Sequence, residues 1–299
     1  MKGMKICTKK TESRRGAARY ALWMLLAVLL GLVSGTSANE TPPDRLVRLT
    51  GEAGCVTVDR LGGRVVSWKI ARGDELLFMP QQTLSPNGDW SHGGIGLCWP
   101  WFGKKGAEPS SIHGFARNRM FAVRSREKLA HGESVTLGLS IGAHDVAAFP
   151  YAATLELKIT VSDKLALELR TTNGGPTAFG LSNGFQPYFA VSRYDAVTLR
   201  DVKDAPFAAV NGMDAAFPRR GDRFSLVDAA WGRTICCKAQ GNTGVVVWSP
   251  GNVEPHNRNL AAGDTERFIG VGPSNRVKEG EIVLAPGTSH TLVFELKLQ

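Results

Sequence analysis

The segment SIHGFARNRMF, residues 111–121, sets His113, Phe115 and Arg117 close together around a glycine. A neutral imidazole donates one hydrogen bond and accepts another. A guanidinium presents a planar fork of donors suited to an anionic group or to polar oxygens. His113 and Arg117 are therefore equipped for ligand binding, and His113 for proton transfer. The preceding stretch, SHGGIGLCWPWFGKKG, adds His92, Trp99, Trp101 and Phe102, with Lys104, Lys105 and, further on, Arg119 as more positive charge. A third stretch, GFQPYFAVSRYD, adds Gln186 and Tyr188. Loops rich in tryptophan, phenylalanine and histidine either form a ligand surface or cover the open end of a layered fold, and composition allows both. The structural alternatives are a solvent-facing loop histidine and an arginine that caps loop carbonyls or joins an ion pair.

The rest of the chain must hold these segments in place. Residues 1–19 carry seven bases against Glu12, and the apolar run YALWMLLAVLLGLV covers 14 residues from Tyr20 to Val33. Small residues follow, with Thr36 and Ala38 suited to a signal peptidase. This pattern predicts a secretory signal peptide over 1–38. The run is shorter than the roughly 20 residues that span a bilayer, although an uncleaved anchor is the alternative. A short linker, 39–45, leads into one domain, 46–299. The expected location is the periplasm or the exterior, with no membrane attachment after cleavage. Seven bases and one acid lie in the leader, so only +3 of the formal +9 belongs to the remainder. A basic balance that lies mostly in the leader, with no block of like charge after it, excludes nucleic acid as a partner.

Beyond the linker the pattern is β throughout. CVTVDRLGGRVVSWKI reads as two strands around a glycine turn at Leu61–Gly63. ATLELKITVSDKLALELRTTN reads as a hairpin across SDK, with Leu155, Leu157, Ile159 and Val161 on one face and Glu156, Lys158 and Thr160 on the other. Long helical periodicity is absent, and 34 glycines and 15 prolines punctuate many short strands. The class is all-β, a large antiparallel β-sandwich with few short helices. Cys55, Cys98, Cys236 and Cys237 follow the leader. They allow one disulfide or none, a vicinal bond being strained, and their spacing supports no zinc site.

GGIGLCWPWFG followed by HGFARN resembles the aldose 1-epimerases, in particular the hexose-6-phosphate mutarotase (glucose-6-phosphate 1-epimerase) branch. QPYFAVSRYDAVTL, VVVWSPG and VLAPGTSHTL resemble later landmarks in the same order, so the likeness runs from Val47 to Leu296. It implies a galactose mutarotase-like sandwich with sugar in a groove on a sheet face, and a reaction that needs no cofactor and no metal. Interconversion of anomers requires a base to take the proton of the anomeric hydroxyl and an acid to protonate the ring oxygen, each tuned near working pH. The resemblance places a sugar-holding histidine at His113. It places the acid where this chain has Gln186, whose amide cannot deliver a proton near neutral pH. It places the base, in a Val-Glu pair, where this chain has Val271-Gly272. An arginine that helps hold a sugar phosphate falls at His92, a weaker phosphate ligand.

Substitutes for the missing pair are Glu254, Glu266, Glu279, His256 and His290, with Glu266 the first candidate base because it precedes the strand that reaches Gly272. The expected ligand is a small-molecule sugar or a glycan, with His92, Trp101, Phe102, Arg117 and Tyr188 as binding residues. Trp99, Trp101, Phe102, Phe115 and Tyr188 can stack on sugar faces or pack beneath the loops. Three functions fit: an exported aldose 1-epimerase-like isomerase with an altered acid–base pair, a non-catalytic carbohydrate-binding protein, and a glycan lyase or transglycosidase using Tyr188, His113 and Arg117.

Overall fold

Period-two alternation in the sequence becomes two large antiparallel sheets. The computed structural model describes residues 44–71, 73–80, 92–105, 112–202, 212–250, 260–261, 263–276 and 282–299. All belong to one unit, Thr41–Gln299. The leader expected over 1–38 and most of the linker lie outside the described residues. In spatial order the first sheet holds β1 (Leu46–Gly51), β2 (Gly54–Asp59), β3 (Arg64–Lys69), β4 (Ile95–Cys98), β10 (Gly184–Ala190), β16 (Phe268–Ser274), β15 (Gly244–Trp248) and β12 (Asp214–Pro218). The second holds β11 (Thr198–Arg200), β13 (Arg223–Asp228), β14 (Arg233–Gln240), β18 (Ser289–Leu298), β8 (Leu165–Asn173), β7 (Ala153–Val161), β6 (Gly132–Ile141) and β5 (Ala122–Leu129). A small pair joins β9 (Phe179–Leu181) to β17 (Ile282–Leu284). The helical pieces among the described residues are 3₁₀ turns at Ala116–Asn118, Ala229–Trp231 and Asp264–Glu266. The all-β sandwich read from the sequence is the fold.

The hairpin across Ser162–Lys164 forms as its alternation requires. Leu155, Leu157, Ile159 and Val161 are buried, whereas Glu156 is exposed. Each such side chain contributes about 1.5–3 kcal/mol when fully buried. The sheets meet face to face through one continuous core. Phe185 of β10 stacks on Phe294 of β18 with ring centroids 6.2 Å apart. Trp99, just past β4, donates its indole N–H to Thr171 Oγ1 of β8 at 3.1 Å. The four described cysteines are free, with Cys55 exposed and Cys237 buried on the strand where Cys236 is half-buried.

Two local features decide what the outer face of the first sheet presents. Val58 pairs with Val65 and Thr57 with Ser67, so Val66 is a bulged residue. The bulge lets Val65 and Trp68 both enter the core and leaves Arg64 on the face that carries Gly96, Cys98, Gln186 and Tyr188. The second feature is the β2–β3 turn. Gly62 has φ 82°, and a Cβ there would lie 2.5 Å from the carbonyl oxygen of Arg117, so the turn can only approach that segment as glycine. Asp59 anchors the turn: its Oδ1 accepts from Leu61 N at 2.9 Å and from Arg45 Nε at 2.7 Å, and its Oδ2 accepts from Arg45 Nη2 at 2.6 Å.

The Arg45–Asp59 pair is fully enclosed, at 4% and 0% side-chain exposure. Removing one partner of such a pair strands a buried charge, so Asp59→Ala is expected to cost about 3–5 kcal/mol. Urea unfolding measures this, and the double variant Arg45→Met/Asp59→Leu should recover much of the loss. A change for Asp59→Ala within about 0.5 kcal/mol would show the anchor to be dispensable.

Candidate functional site

The HGFAR segment is tied to the β4 extension by backbone. Trp99 N–H donates to the His113 carbonyl at 3.2 Å, and the Trp99 carbonyl accepts from Phe115 N at 3.0 Å and from Ala116 N at 3.4 Å. His113 N donates to the Gly103 carbonyl at 2.8 Å, while Gly103 N donates to His113 Nδ1 at 3.1 Å. His113 itself has φ 62° and Gly114 φ 71°. A Cβ on Gly114 would fall 1.9 Å from the Trp99 carbonyl oxygen, so this crossing requires glycine. The 3₁₀ turn then begins at Ala116 and carries Arg117 over the β2–β3 turn.

These constraints close a cavity on the outer face of the first sheet. It is lined by Leu61, Gly62, Arg64, Gly96, Leu97, Cys98, His113, Arg117, Gln186 and Tyr188 and has a volume of about 30 Å³. Gln186 pairs with Gly96 across the ladder, and Cys98 Sγ donates to Gln186 Oε1 at 3.7 Å. Arg64 Nε donates to the Gly93 carbonyl at 2.9 Å. Beside the cavity Tyr188 joins an aromatic wall with Phe78 and Phe268, where His92 stacks on Trp248 with centroids 5.0 Å apart and meets Tyr188 edge-on at 5.7 Å. Further along, Phe102 lies edge-on to His113 at 4.9 Å, and Arg276 forms an ion pair with Asp214.

Burial dominates the electrostatics. It lowers His92 and His113 to about 4, with Arg64 adding to the shift at His92 and Arg117 and Arg276 adding to it at His113. It lowers Arg64 to about 10 and pushes the Cys98 thiol up to about 12. It raises the Tyr188 phenol well above its ordinary value. Both histidines are therefore neutral at pH 7, and His113 Nδ1 is an acceptor fixed by Gly103.

Of the residues proposed from sequence, the structure brings His113, Arg117, Gln186 and Tyr188 to one cavity, with His92 and Phe102 beside it. Trp101 is not in this group: it is 6% exposed and packed in the main core, as is Trp99, and Phe115 packs against that core. They fill the space beneath the loop instead of stacking on a ligand. Glu266 is exposed at the end of a 3₁₀ turn, where its carbonyl accepts from Tyr194 N at 2.9 Å, and it does not line the cavity. His290 bonds to the Gly241 carbonyl at 2.8 Å on the second sheet. Lys104, Lys105 and Arg119 are exposed. Glu254, His256 and Glu279 lie outside the described residues. Sequence reasoning missed Arg64 and Cys98. Their only signal was a single arginine after a double glycine and a cysteine inside the aromatic loop, neither of which reveals a face. Among the described residues no His, Cys, Asp or Glu group gathers as a metal site.

The two depressed histidines set a pH dependence. Above pH 6.5 they are neutral whether the chain is folded or not. As pH falls from 6.5 to about 4 the unfolded chain binds protons that the folded chain refuses, so stability is lost across that window. His113→Asn removes one titrating ring while keeping a residue that tolerates the left-handed backbone. Melting temperatures between about pH 7 and about pH 4.5 should fall less steeply for this variant; parallel curves would remove His113 from the account.

The family model for aldose 1-epimerase matches residues 45–210. A "Putative glucose-6-phosphate 1-epimerase" of Escherichia coli (strain K12) is 28% identical over 206 residues, covering 64% of this chain and 69% of its own. A protein of the same name from Cenchrus ciliaris is 24% identical over 222 residues, covering 66% and 67%. Among solved structures, a "putative mutarotase" of Salmonella typhimurium superposes with a TM-score of 0.74 at 20% identity, covering 92% of this chain and 99% of its own. A galactose mutarotase-like protein of Clostridium acetobutylicum gives a TM-score of 0.69 at 13% identity, covering 85% and 95%. The structures share the fold, and the family model spans more than half of the sequence: the chain belongs to the aldose 1-epimerase family.

Proposed function

We propose that this chain binds a sugar on the outer face of its first sheet without catalysing anomer exchange, and that it does so after export. The observation that carries the reading is Gly272. A Cβ added there would lie 2.3 Å from the Phe185 carbonyl oxygen and 2.4 Å from Cδ of Pro187. Real Cβ atoms do not approach backbone oxygen so closely, so the position that the family resemblance gives to the base has no room for a side chain. The Phe185 carbonyl and the Pro187 ring together occupy the space that a side chain at residue 272 would need.

The remaining groups support the same reading. Anomer exchange needs an acid and a base poised near working pH. The described lining residues include no carboxylate. His113 lies at about 4, Arg64 at about 10 and Cys98 at about 12. Gln186 can hold a ring oxygen but cannot protonate it. Tyr188, His113 and Arg117 share the cavity as a lyase would need, yet burial raises the Tyr188 phenol, away from the anionic form that such a base uses.

Fresh α-glucose and α-glucose 6-phosphate, followed by NMR with purified protein, test the reading. Exchange is expected to match buffer while sugar alters tryptophan fluorescence. Acceleration of about 10²-fold or more, the contribution of one working acid or base, would refute it. Double-bond formation from a polysaccharide would favour a lyase instead. Gln186→His with Gly272→Glu is expected to lose about 1–3 kcal/mol of stability through overpacking and to gain no exchange. Export predicts that protein recovered from the periplasm begins near Asn39; an intact Met1 on sequencing would count against cleavage.

A further inference from the structure

A second, larger cavity lies along β3 and the end of β10. Its volume is about 620 Å³, within the roughly 300–1,000 Å³ that small-molecule sites occupy. Its polar and aromatic lining is Ser67, Lys69, Glu75, Trp231, Asp264 and Arg267. The bulge at Val66 shapes one wall. Val66 and Ser67 are consecutive, yet both line the cavity, which the alternation of a regular strand would forbid. Ser67 Oγ donates to Glu75 Oε2 at 2.5 Å, and Glu75 Oε1 accepts from Trp68 N at 2.7 Å and from Leu77 N at 3.1 Å. The Glu75 carboxylate is thus held in one position beside the cavity.

Trp231 supplies a platform. It is 51% exposed, yet its 3₁₀ turn is fastened to the end of β10. Asp228 Oδ1 accepts from Trp231 N at 3.4 Å and from Ser192 Oγ at 2.6 Å, and its Oδ2 accepts from Ser192 N at 2.9 Å. Arg233 lies over the indole, 4.5 Å from the ring centroid, and donates to the Ala190 carbonyl. An indole ordered in advance stacks on the apolar face of a sugar ring at low entropic cost. The described lining carries two acids, Glu75 and Asp264, and two bases, Lys69 and Arg267. This balance suits a neutral ligand rich in hydroxyls, which donate to carboxylates and accept from lysine and arginine. A lipid chain or an apolar peptide would leave the same charges desolvated.

The two cavities share the aromatic wall. Phe78 lines the second and stacks on Phe268 at 4.3 Å, while Tyr188 of the same cluster lines the first. Gln186 lines the first cavity and Ala190 the second. Along β10 these positions are about 13 Å apart at about 3.3 Å per residue, farther than one pyranose ring reaches. The first cavity, at about 30 Å³, has room for roughly two water-sized groups and does not enclose a ring.

We propose that the larger cavity is a second sugar subsite, with Trp231 as its stacking platform, and that the ligand is a neutral oligosaccharide lying across the aromatic wall from one cavity to the other. This rests on the sugar-binding reading above and extends it from one sugar unit to several.

Isothermal titration with glucose, galactose, mannose and N-acetylglucosamine, each beside its neutral 1,4-linked tetrasaccharide, tests it. At least one tetrasaccharide should bind about tenfold or more tightly than its own monosaccharide, the factor that one well-packed aromatic contact carries. Trp231→Ala should erase that preference and leave monosaccharide binding unchanged, and Trp231→Phe should keep part of it. Tetrasaccharides that bind no more tightly than their monosaccharides, or a preference that survives Trp231→Ala, overturn the subsite while leaving sugar binding intact. Tetrasaccharide binding that Trp231→Ala abolishes and Gln186→Ala leaves untouched supports the subsite and removes the first cavity from the sugar reading. Binding of none of the eight sugars overturns both. Because the ligand ranking is measured on the unaltered protein, a variant that fails to fold does not remove the test.

Discussion

The carbonyl of Trp99 organises the site. It accepts two backbone N–H groups from the segment that carries His113 and Arg117, while the indole of the same residue is moored across the core to Thr171. One residue therefore links the interior of the sandwich to the loop that roofs the cavity. The crossing is so close that Gly114 leaves no space for a methyl group. The loop's aromatic residues serve this mooring. Trp99, Trp101 and Phe115 pack downward, which fixes the height of Arg117 above the sheet.

With roof and floor both fixed, the cavity's chemistry follows from which side chains the first sheet presents. β3, β4 and β10 contribute an arginine, a thiol, an amide and a phenol. Where the resemblance places a proton acceptor, β16 contributes bare backbone, pressed against Phe185 and Pro187. The described lining residues include no carboxylate, and of the two arginines that line the cavity Arg64 is buried and Arg117 half-buried. The main core lies between the two sheets, and Arg64, Gln186 and Gly272 are not among its members.

Much of this was legible in the sequence, and the exceptions have physical causes. The β7–β8 hairpin could be read residue by residue because one face is dry and the other wet, so hydrophobicity records orientation. The HGFAR and QPYF segments stood out because they interrupt that record, and their polar residues do converge on one cavity. Arg64 was hidden by the bulge at Val66, which breaks the period on which a face assignment depends. Trp101 misled because an aromatic residue in a glycine-rich loop looks the same whether it faces a ligand or plugs the core. Glu266 was chosen for nearness along the chain, but β16 runs on for several residues before Gly272, and its 3₁₀ turn leaves that side chain exposed. The closure around Gly272 depends on the contact of two strands distant in sequence, and no local pattern encodes it.

The adjacent cysteines of β14 have a consequence for an oxidising compartment. Neighbouring residues on a strand point to opposite sides of the sheet, so Cys236 and Cys237 are separated by the backbone they share. Cys237 is sealed in the core, where burial holds its thiol well above the ordinary value and unreactive. Cys236 is only half-buried and Cys55 is exposed. Oxidants and alkylating agents thus meet the exposed Cys55 on the first sheet more readily than the half-buried Cys236 on the second.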